Sequence, residues 1–182
     1  LNVDTETGVA KEIPFSAQVR QRVVQPVRVA HDLAPRRFTV SAIRQLEISP
    51  DGQHVAFNAL GHLWTKALPS EKPTRLTKAT AFEFEPAYSP DGRRIAYVEW
   101  DDEKGSALIV AAADGGARQV VTASPGVIRS PSFSPDGKHL AYQIATGDKC
   151  LGGFRGVPGL YSISVEGGQS RRVGPGGDTP RF

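Results

Sequence analysis

The stretch SPDGQHVAF at Ser49–Phe57 returns as SPDGRRIAY at Ser89–Tyr97 and again as SPDGKHLAY at Ser134–Tyr142. Each copy is a turn signal, one or two polar or basic residues, then an apolar residue, Ala and an aromatic. Pro50, Pro90 and Pro135 fix φ near −65°, which suits the second position of a type I turn. Gly52, Gly92 and Gly137 can take the left-handed conformation that closes such a turn with a bulge, where a Cβ would cost about 1–2 kcal/mol. Each copy therefore predicts a tight hairpin between a short strand (LEIS, PAYS, PSFS) and a longer one (HVAFNAL, RIAYVEW, HLAYQIA).

Each hairpin is followed by a second apolar run: HLWTKAL at His62–Leu68, ALIVAAA at Ala107–Ala113, LYSISVE at Leu160–Glu166. A turn (PSEKP, DGGA, GGQ) and a short strand complete the unit. From Leu63, Leu108 and Leu160 to Leu76, Val121 and Val173 the spacing is 13 residues each time. From Ser49, Ser89 and Ser134 to the same leucines it is 14, 19 and 26. Pairing distances are fixed and one loop varies, which is how a structural repeat behaves. Many strand positions are apolar on both faces, as in small sheets stacked face to face. Four-stranded sheets of about 40 residues packed radially make a β-propeller. The predicted fold is all-β, an incomplete β-propeller of four-stranded antiparallel blades, with about three blades plus partial blades at both ends.

The predicted layout follows directly. Residues 1–15, opening on LNVDTETG without a Met, match the end of a preceding blade and predict a piece of a longer polypeptide. Residues 16–45 form a bridging segment outside the repeat. Residues 46–77 and 78–122 are blades, and 123–174 is a blade with a long loop. Residues 175–182 are the first strand of a further blade, because TPRF at Thr179–Phe182 matches SPSF at Ser130–Phe133. Pro86, Pro131 and Pro180 are each expected to begin a strand, where a missing N–H is tolerated.

Composition narrows the function classes. The chain has 182 residues with a net charge of +3, too mild to imply nucleic acid, and no aromatic-and-basic motif accompanies it. The basic excess is local: Arg20, Arg22, Arg28, Arg36, Arg37 and Arg44 face only Asp32 across residues 17–44, which reads as a solvated or docked segment. No apolar stretch approaches the length of a membrane span. Cys150 is the single cysteine and forms no intrachain disulfide.

The repeats resemble TolB-like propeller repeats, whose hallmark is an apolar or aromatic strand, SPDG, then basic–apolar–Ala–aromatic. Similar repeats form the propellers of tricorn-type proteases and prolyl oligopeptidase-like peptidases. A narrower resemblance covers most of the chain. TGVAKEIPFSAQV, the Pro-containing bridge, SAIRQLEISPDGQHVAFNALGHLW and FEPAYSPDGRRIAYVEWDDEKG together resemble the propeller portion of large bacterial hydrolases in which such repeats precede a metal-dependent amidohydrolase domain. This implies a non-catalytic scaffold, gate or interaction module in a periplasmic or secreted protein. The longer polypeptide would use a divalent metal such as zinc, with no cofactor in this chain. Implied partners are the remainder of that polypeptide, other copies of the chain, or a protein partner. The alternatives are a cell-envelope protein–protein interaction propeller and the propeller of a prolyl oligopeptidase-like or tricorn-like peptidase.

The search for chemistry finds no catalytic set. His31, His54, His62 and His139 contain no His-x-His pair of the kind that starts an amidohydrolase metal site. His54 and His139 share a repeat slot with Arg94, which marks a solvent-facing position, and His62 sits at the edge of a loop. His31–Asp32 has no partner nucleophile. No Gly-x-Ser-x-Gly elbow is present. Asp101–Gly105 (DDEKG) lacks the ligand spacing of a calcium loop and reads as solvated. The most eccentric segment is GDKCLGGFRG, Gly147–Gly156, whose Cys150, Phe154 and Arg155 form the candidate interaction loop. Cys150 has no nearby base to make it a nucleophile. Trp64 and Trp100 are expected in the core or between blades.

Overall fold

Three copies of SPDG build three superimposable turns. In the computed structural model, which describes residues 2–21, 36–69, 71–145 and 156–176, Gly52, Gly92 and Gly137 take φ of 69°, 69° and 67°. Their N–H groups donate to the carbonyls of Ser49, Ser89 and Ser134, each at 2.8 Å. Each serine hydroxyl then donates to the aspartate two residues on, at 2.6, 2.5 and 2.6 Å. Each also accepts the N–H of His54, Arg94 or His139, at 2.8, 2.9 and 2.9 Å. Asp51, Asp91 and Asp136 cap the N–H of Gln53, Arg93 and Lys138. The hydrogen bond from the neighbouring serine, then that backbone N–H, hold all three carboxyls below the usual aspartate range. The serines are buried and their hydrogen-bonding capacity is met within the hairpin.

Strand content follows the repeat. The chain divides into two compact units, Leu1–Phe38 and Thr39–Phe182. The first holds a small antiparallel hairpin, β1 (Asn2–Val3) with β2 (Ala10–Lys11). The second holds three four-stranded antiparallel sheets in simple up-and-down order. The first blade is β3 (Arg44–Ile48), β4 (His54–Ala59), β5 (His62–Ala67) and β6 (Thr74–Arg75). The second is β7 (Phe82–Tyr88), β8 (Arg94–Asp101), β9 (Gly105–Ala112) and β10 (Arg118–Ser124). The third is β11 (Ile128–Phe133), β12 (His139–Ile144), β13 (Gly159–Ser164) and β14 (Arg171–Gly174). Among the described residues there is no helix, and hence none long and apolar enough to cross a membrane. The fold is all-β, an incomplete β-propeller.

Register decides which residues fill each junction. Side chains alternate across a strand, so Ile95 and Tyr97, paired with Ala111 and Ile109, face the first blade. Ala96 and Val98, paired with Val110 and Leu108, face the third. Between the first two blades lie Ala56, Leu63, Leu76, Ile95, Tyr97, Ile109 and Ala111. Between the second and third a larger cluster includes Leu108, Ile128, Leu140, Tyr142 and Ile163. Each fully buried Leu or Ile contributes about 1.5–3 kcal/mol. Arg94 reaches from the second blade to the third, donating to the Gly137 carbonyl at 2.8 Å and lying over the Phe133 ring at 5.7 Å.

Two sequence expectations need correction. Pro86 and Pro131 do not begin strands; they lie inside β7 and β11, where the ladder register shifts between Phe84 and Ala87 and between Arg129 and Ser132. A bulge leaves that position out of the ladder, so no N–H is needed there. Pro180 lies outside the described residues. Trp100 is half-buried at the end of β8, its indole N–H donating to Asp102 at 2.7 Å, and it is not a member of the core clusters that the described residues form. Trp64 does pack against Val55, Phe57 and Ala59.

Candidate functional site

The bulges that accommodate those prolines build the most distinctive site. Gln45, Glu85 and Ser130 each stand four residues before their SPDG serine, and all three are non-glycine residues at positive φ: 52°, 53° and 50°. The same register shift occurs in β3, between Arg44 and Glu47. A left-handed conformation in a residue bearing a Cβ costs about 1–2 kcal/mol, and such strain persists where surrounding contacts enforce it.

Those contacts run from blade to blade. The Glu85 N–H donates to Gln45 Oε1 at 3.0 Å, and Gln45 Nε2 returns a bond to Glu85 Oε1 at 3.4 Å. One blade further on, the Ser130 N–H donates to the Glu85 carboxylate, which also pairs with the Arg129 guanidinium. The bulge side chain of one blade thus captures the bulge N–H of the next. These residues line an open groove along the inner strands, with Tyr88 and Phe133 in its wall. Tyr88 is held neutral far into the alkaline range, its pKa pushed up to about 12 by burial, with the charges of Asp51 and Glu47 adding.

A second polar cluster lies between the first two blades. Glu83 is fully buried. Its carboxylate accepts the Leu63 N–H at 3.1 Å and the Thr77 hydroxyl, and its main-chain oxygen accepts the Asn58 amide. His62 Nδ1 lies 3.6 Å from Glu83 and 2.9 Å from the Arg75 guanidinium. Arginine is always a donor, so Nδ1 accepts and the ring proton sits on Nε2. A cation at this nitrogen would have to displace Arg75, and among the described residues no three His, Cys, Asp or Glu side chains gather as a metal-binding group. Among the described residues, His62 and Glu83, taken up by Arg75, Leu63 and Thr77, do not fit the divalent metal that the hydrolase resemblance implies for the longer polypeptide.

The candidate residues from sequence fare unevenly. His54 and His139 are exposed on matching strands of different blades. His62 is only one-quarter exposed and joined to the buried cluster. Asp101 caps the N–H groups of Glu103 and Lys104, both at 3.0 Å, as a hairpin turn does. His31, Cys150, Phe154 and Arg155 lie outside the described residues. Sequence reasoning missed Gln45, Glu85 and Glu83. For the first two a signal existed, a polar residue before Leu or Pro at a fixed distance from SPDG; for Glu83 there was none, because its repeat counterparts are Ile43 and Ile128.

The three like blades and their repeated inner-strand bulge agree with the family that the sequence matches. Residues 68–173, more than half the chain, match the TolB beta propeller domain. The chain belongs to that family. No curated protein matched the sequence. Among solved structures, this TolB-type propeller is similar to an oligogalacturonate lyase in complex with manganese (TM-score 0.59, 16% identity, covering 72% of this chain and 40% of that one). It is also similar to a chain of a nidogen/laminin complex (0.57, 18%, 71% and 47%) and to a prolyl endopeptidase (0.53, 16%, 74% and 22%). The chain spans less than half the length of each, and at these identities the likeness is one of fold.

Proposed function

We propose that this TolB-type propeller segment is a non-catalytic module of a larger exported hydrolase of the metal-dependent amidohydrolase kind, which it scaffolds and gates. The observation that carries the reading is the engagement of Gln45 and Glu85: the polar side chains at the inner groove bind the main chain of the next blade and so make a rigid frame. The bridge and the EWDDEKG hairpin, which resemble the propeller portion of such hydrolases, support the choice of enzyme class, and a periplasmic or secreted location goes with it. The metal and the catalytic residues would belong to the remainder of the polypeptide.

The test is to sequence the gene downstream of this segment and assay the purified chain. A His-x-His pair with later metal ligands downstream is expected, together with no hydrolysis by the segment alone. A Gly-x-Ser-x-Gly elbow downstream would make the protein a serine peptidase instead. A coding region ending soon after the last blade would favour an envelope interaction protein. Metal-dependent hydrolysis by the segment itself would overturn the proposal.

A further inference from the structure

One polar set occupies the first blade junction and is missing, member by member, from the second. His62, Arg75 and Glu83 meet where β5, β6 and the start of β7 come together. Counted along the paired strands, their places in the second junction are held by Ala107, Val120 and Ile128. The second junction closes with those three apolar residues, so the fold itself does not require the polar set. What the set adds is a titratable ring placed between a permanent donor and a carboxylate.

His62 Nδ1 has one lone pair and two claimants. The Arg75 guanidinium donates to it at 2.9 Å, and Glu83 Oε2 lies 3.6 Å away. While Nδ1 is bare it accepts from Arg75, and Oε2 is left with the Leu63 N–H at 3.1 Å. Glu83 is fully buried, and among the described residues His62 is the only basic side chain in ion-pair range of it. A buried carboxylate is costly unless an opposite charge meets it. The other charged or titratable groups on the elements packed against β5 lie elsewhere. His54 is at the far end of β4, opposite Ala67, and Lys66 is at that same end of β5, opposite Val55. On β7, Glu85 pairs with Arg129 and Tyr88 stands in the wall of the inner groove. Lys78, beyond β6, is exposed.

We propose that His62 is a proton-driven exchanger of partners at the seam between the first two blades. Neutral, its Nδ1 takes a hydrogen bond from Arg75; protonated, it gives one to Glu83 and lets Arg75 go. The proton comes from solvent, which reaches the ring because its side chain is one-quarter exposed. Imidazole titrates near neutrality, so the exchange needs no extreme of pH. Once Nδ1 carries a proton it has nothing left to accept with, and the two cations repel each other. Arg75 and His62 belong to one blade and Glu83 to the next, so acidification moves a bond from inside the first blade to the seam. It also frees Arg75, which otherwise ties β5 to the Ala79 carbonyl in the connection between the blades.

Nitrogen NMR of the histidine rings, recorded on the whole chain from about pH 5 to about pH 8, tests this by reading which ring nitrogen carries the proton. His62 is expected with its proton on Nε2 at the alkaline end and with both nitrogens protonated at the acid end. The Arg75 guanidinium resonances should shift with the same midpoint. Glu83→Gln removes the charged acceptor and should lower that midpoint by about one pH unit, and Arg75→Gln removes the competing cation and should raise it by about as much. A merely structural role would not move the midpoint in opposite directions. Exposed His54 and His139 serve as controls in the same spectra. Arg75 is exposed, so Arg75→Gln decides the matter even where Glu83→Gln fails to fold. A neutral His62 with its proton on Nδ1 would overturn the inference, and so would a midpoint that Arg75→Gln leaves in place. Either failure would leave the proposed role in a hydrolase untouched, because that rests on what lies downstream.

Discussion

The junction between the first and second blades and the junction between the second and third use one geometry and two chemistries. In the first, a fully buried carboxylate, Glu83, takes the Leu63 N–H and the Thr77 hydroxyl. In the second, the counterpart of Glu83 is Ile128, and the polar link is the Ser106 hydroxyl, which donates to the Gly126 carbonyl and accepts the Ile128 N–H at 2.7 Å. Ser106 in turn replaces Gly61, whose carbonyl accepts the Glu83 N–H at 2.9 Å in the first junction. The strand that starts each new blade must be tied to the preceding hairpin, and either a main-chain carbonyl or a hydroxyl can do it. The repeat therefore constrains where a bond must fall more tightly than which atom makes it.

The largest expected effect breaks the polar junction. Glu83→Ala leaves buried donors without an acceptor and should cost about 3–5 kcal/mol in urea denaturation. Ile128→Val, the mildest change at the counterpart position, should cost about 0.5–1.5 kcal/mol. If the two losses match, the junctions are not chemically distinct.

Next comes the outer turn by which each blade seats on its predecessor. An added Cβ on Gly115, at φ +82°, would stand 1.9 Å from the Leu76 carbonyl oxygen. On Gly167, at φ +89°, it would stand 3.3 Å from the Val121 oxygen. Gly167→Ala should lose only the conformational cost of about 1–2 kcal/mol. Gly115→Ala should lose that and about 1–3 kcal/mol more, as the seat is forced open. Thermal unfolding of the pair separates the two contributions.

A finer comparison uses two tyrosines in one repeat slot. Tyr142 donates to the Ser170 hydroxyl at 2.7 Å, whereas the buried Tyr97 hydroxyl lies beside the Arg118 guanidinium without a well-aligned hydrogen bond, Arg118 being paired with Glu99. Tyr142→Phe should cost about 1 kcal/mol and Tyr97→Phe close to nothing. The first blade already carries Phe57 there, and it is buried.

The smallest expected effect is pH dependence. Asp51, Asp91 and Asp136 have lowered pKa values in the folded chain. Their contribution is present above the unfolded aspartate pKa, about 3.9, and is lost as pH falls through the lower folded values. At the other limb, Tyr88 is raised from 10.0 to about 12. Its contribution is full below 10.0 and is lost as pH rises through about 12. Replacing all three aspartates with Asn should flatten only the acid limb of a melting-temperature profile, and Tyr88→Phe only part of the alkaline one.

How much of this was legible from sequence follows from range. The hairpins were readable to the residue, since the Ser49, Asp51 and Gly52 contacts all close within a few positions. The sheet order followed from the constant 13-residue spacing. The inner-strand bulges are hidden in the sequence, because a proline ahead of an apolar run reads as a strand start, whereas Pro86 and Pro131 follow the left-handed residues Glu85 and Ser130. Glu83 was invisible because its partners, Leu63 and Thr77, come from the preceding blade, and a single carboxylate in an otherwise apolar slot carries no local signature. The segment holding Cys150, Phe154 and Arg155 lies outside the described residues, and only its glycines and composition speak for it.

The SPDG turn closes on itself: the Ser49 hydroxyl, the Asp51 carboxylate and the N–H groups of Gly52, Gln53 and His54 bond within the hairpin, and the counterpart groups in the other two blades do the same. Such a reversal can therefore set as soon as its own residues leave the ribosome, before any neighbour has been synthesised. Each hairpin is a portable folding seed, and a gene encoding one could be duplicated in tandem with every new copy arriving already competent to fold.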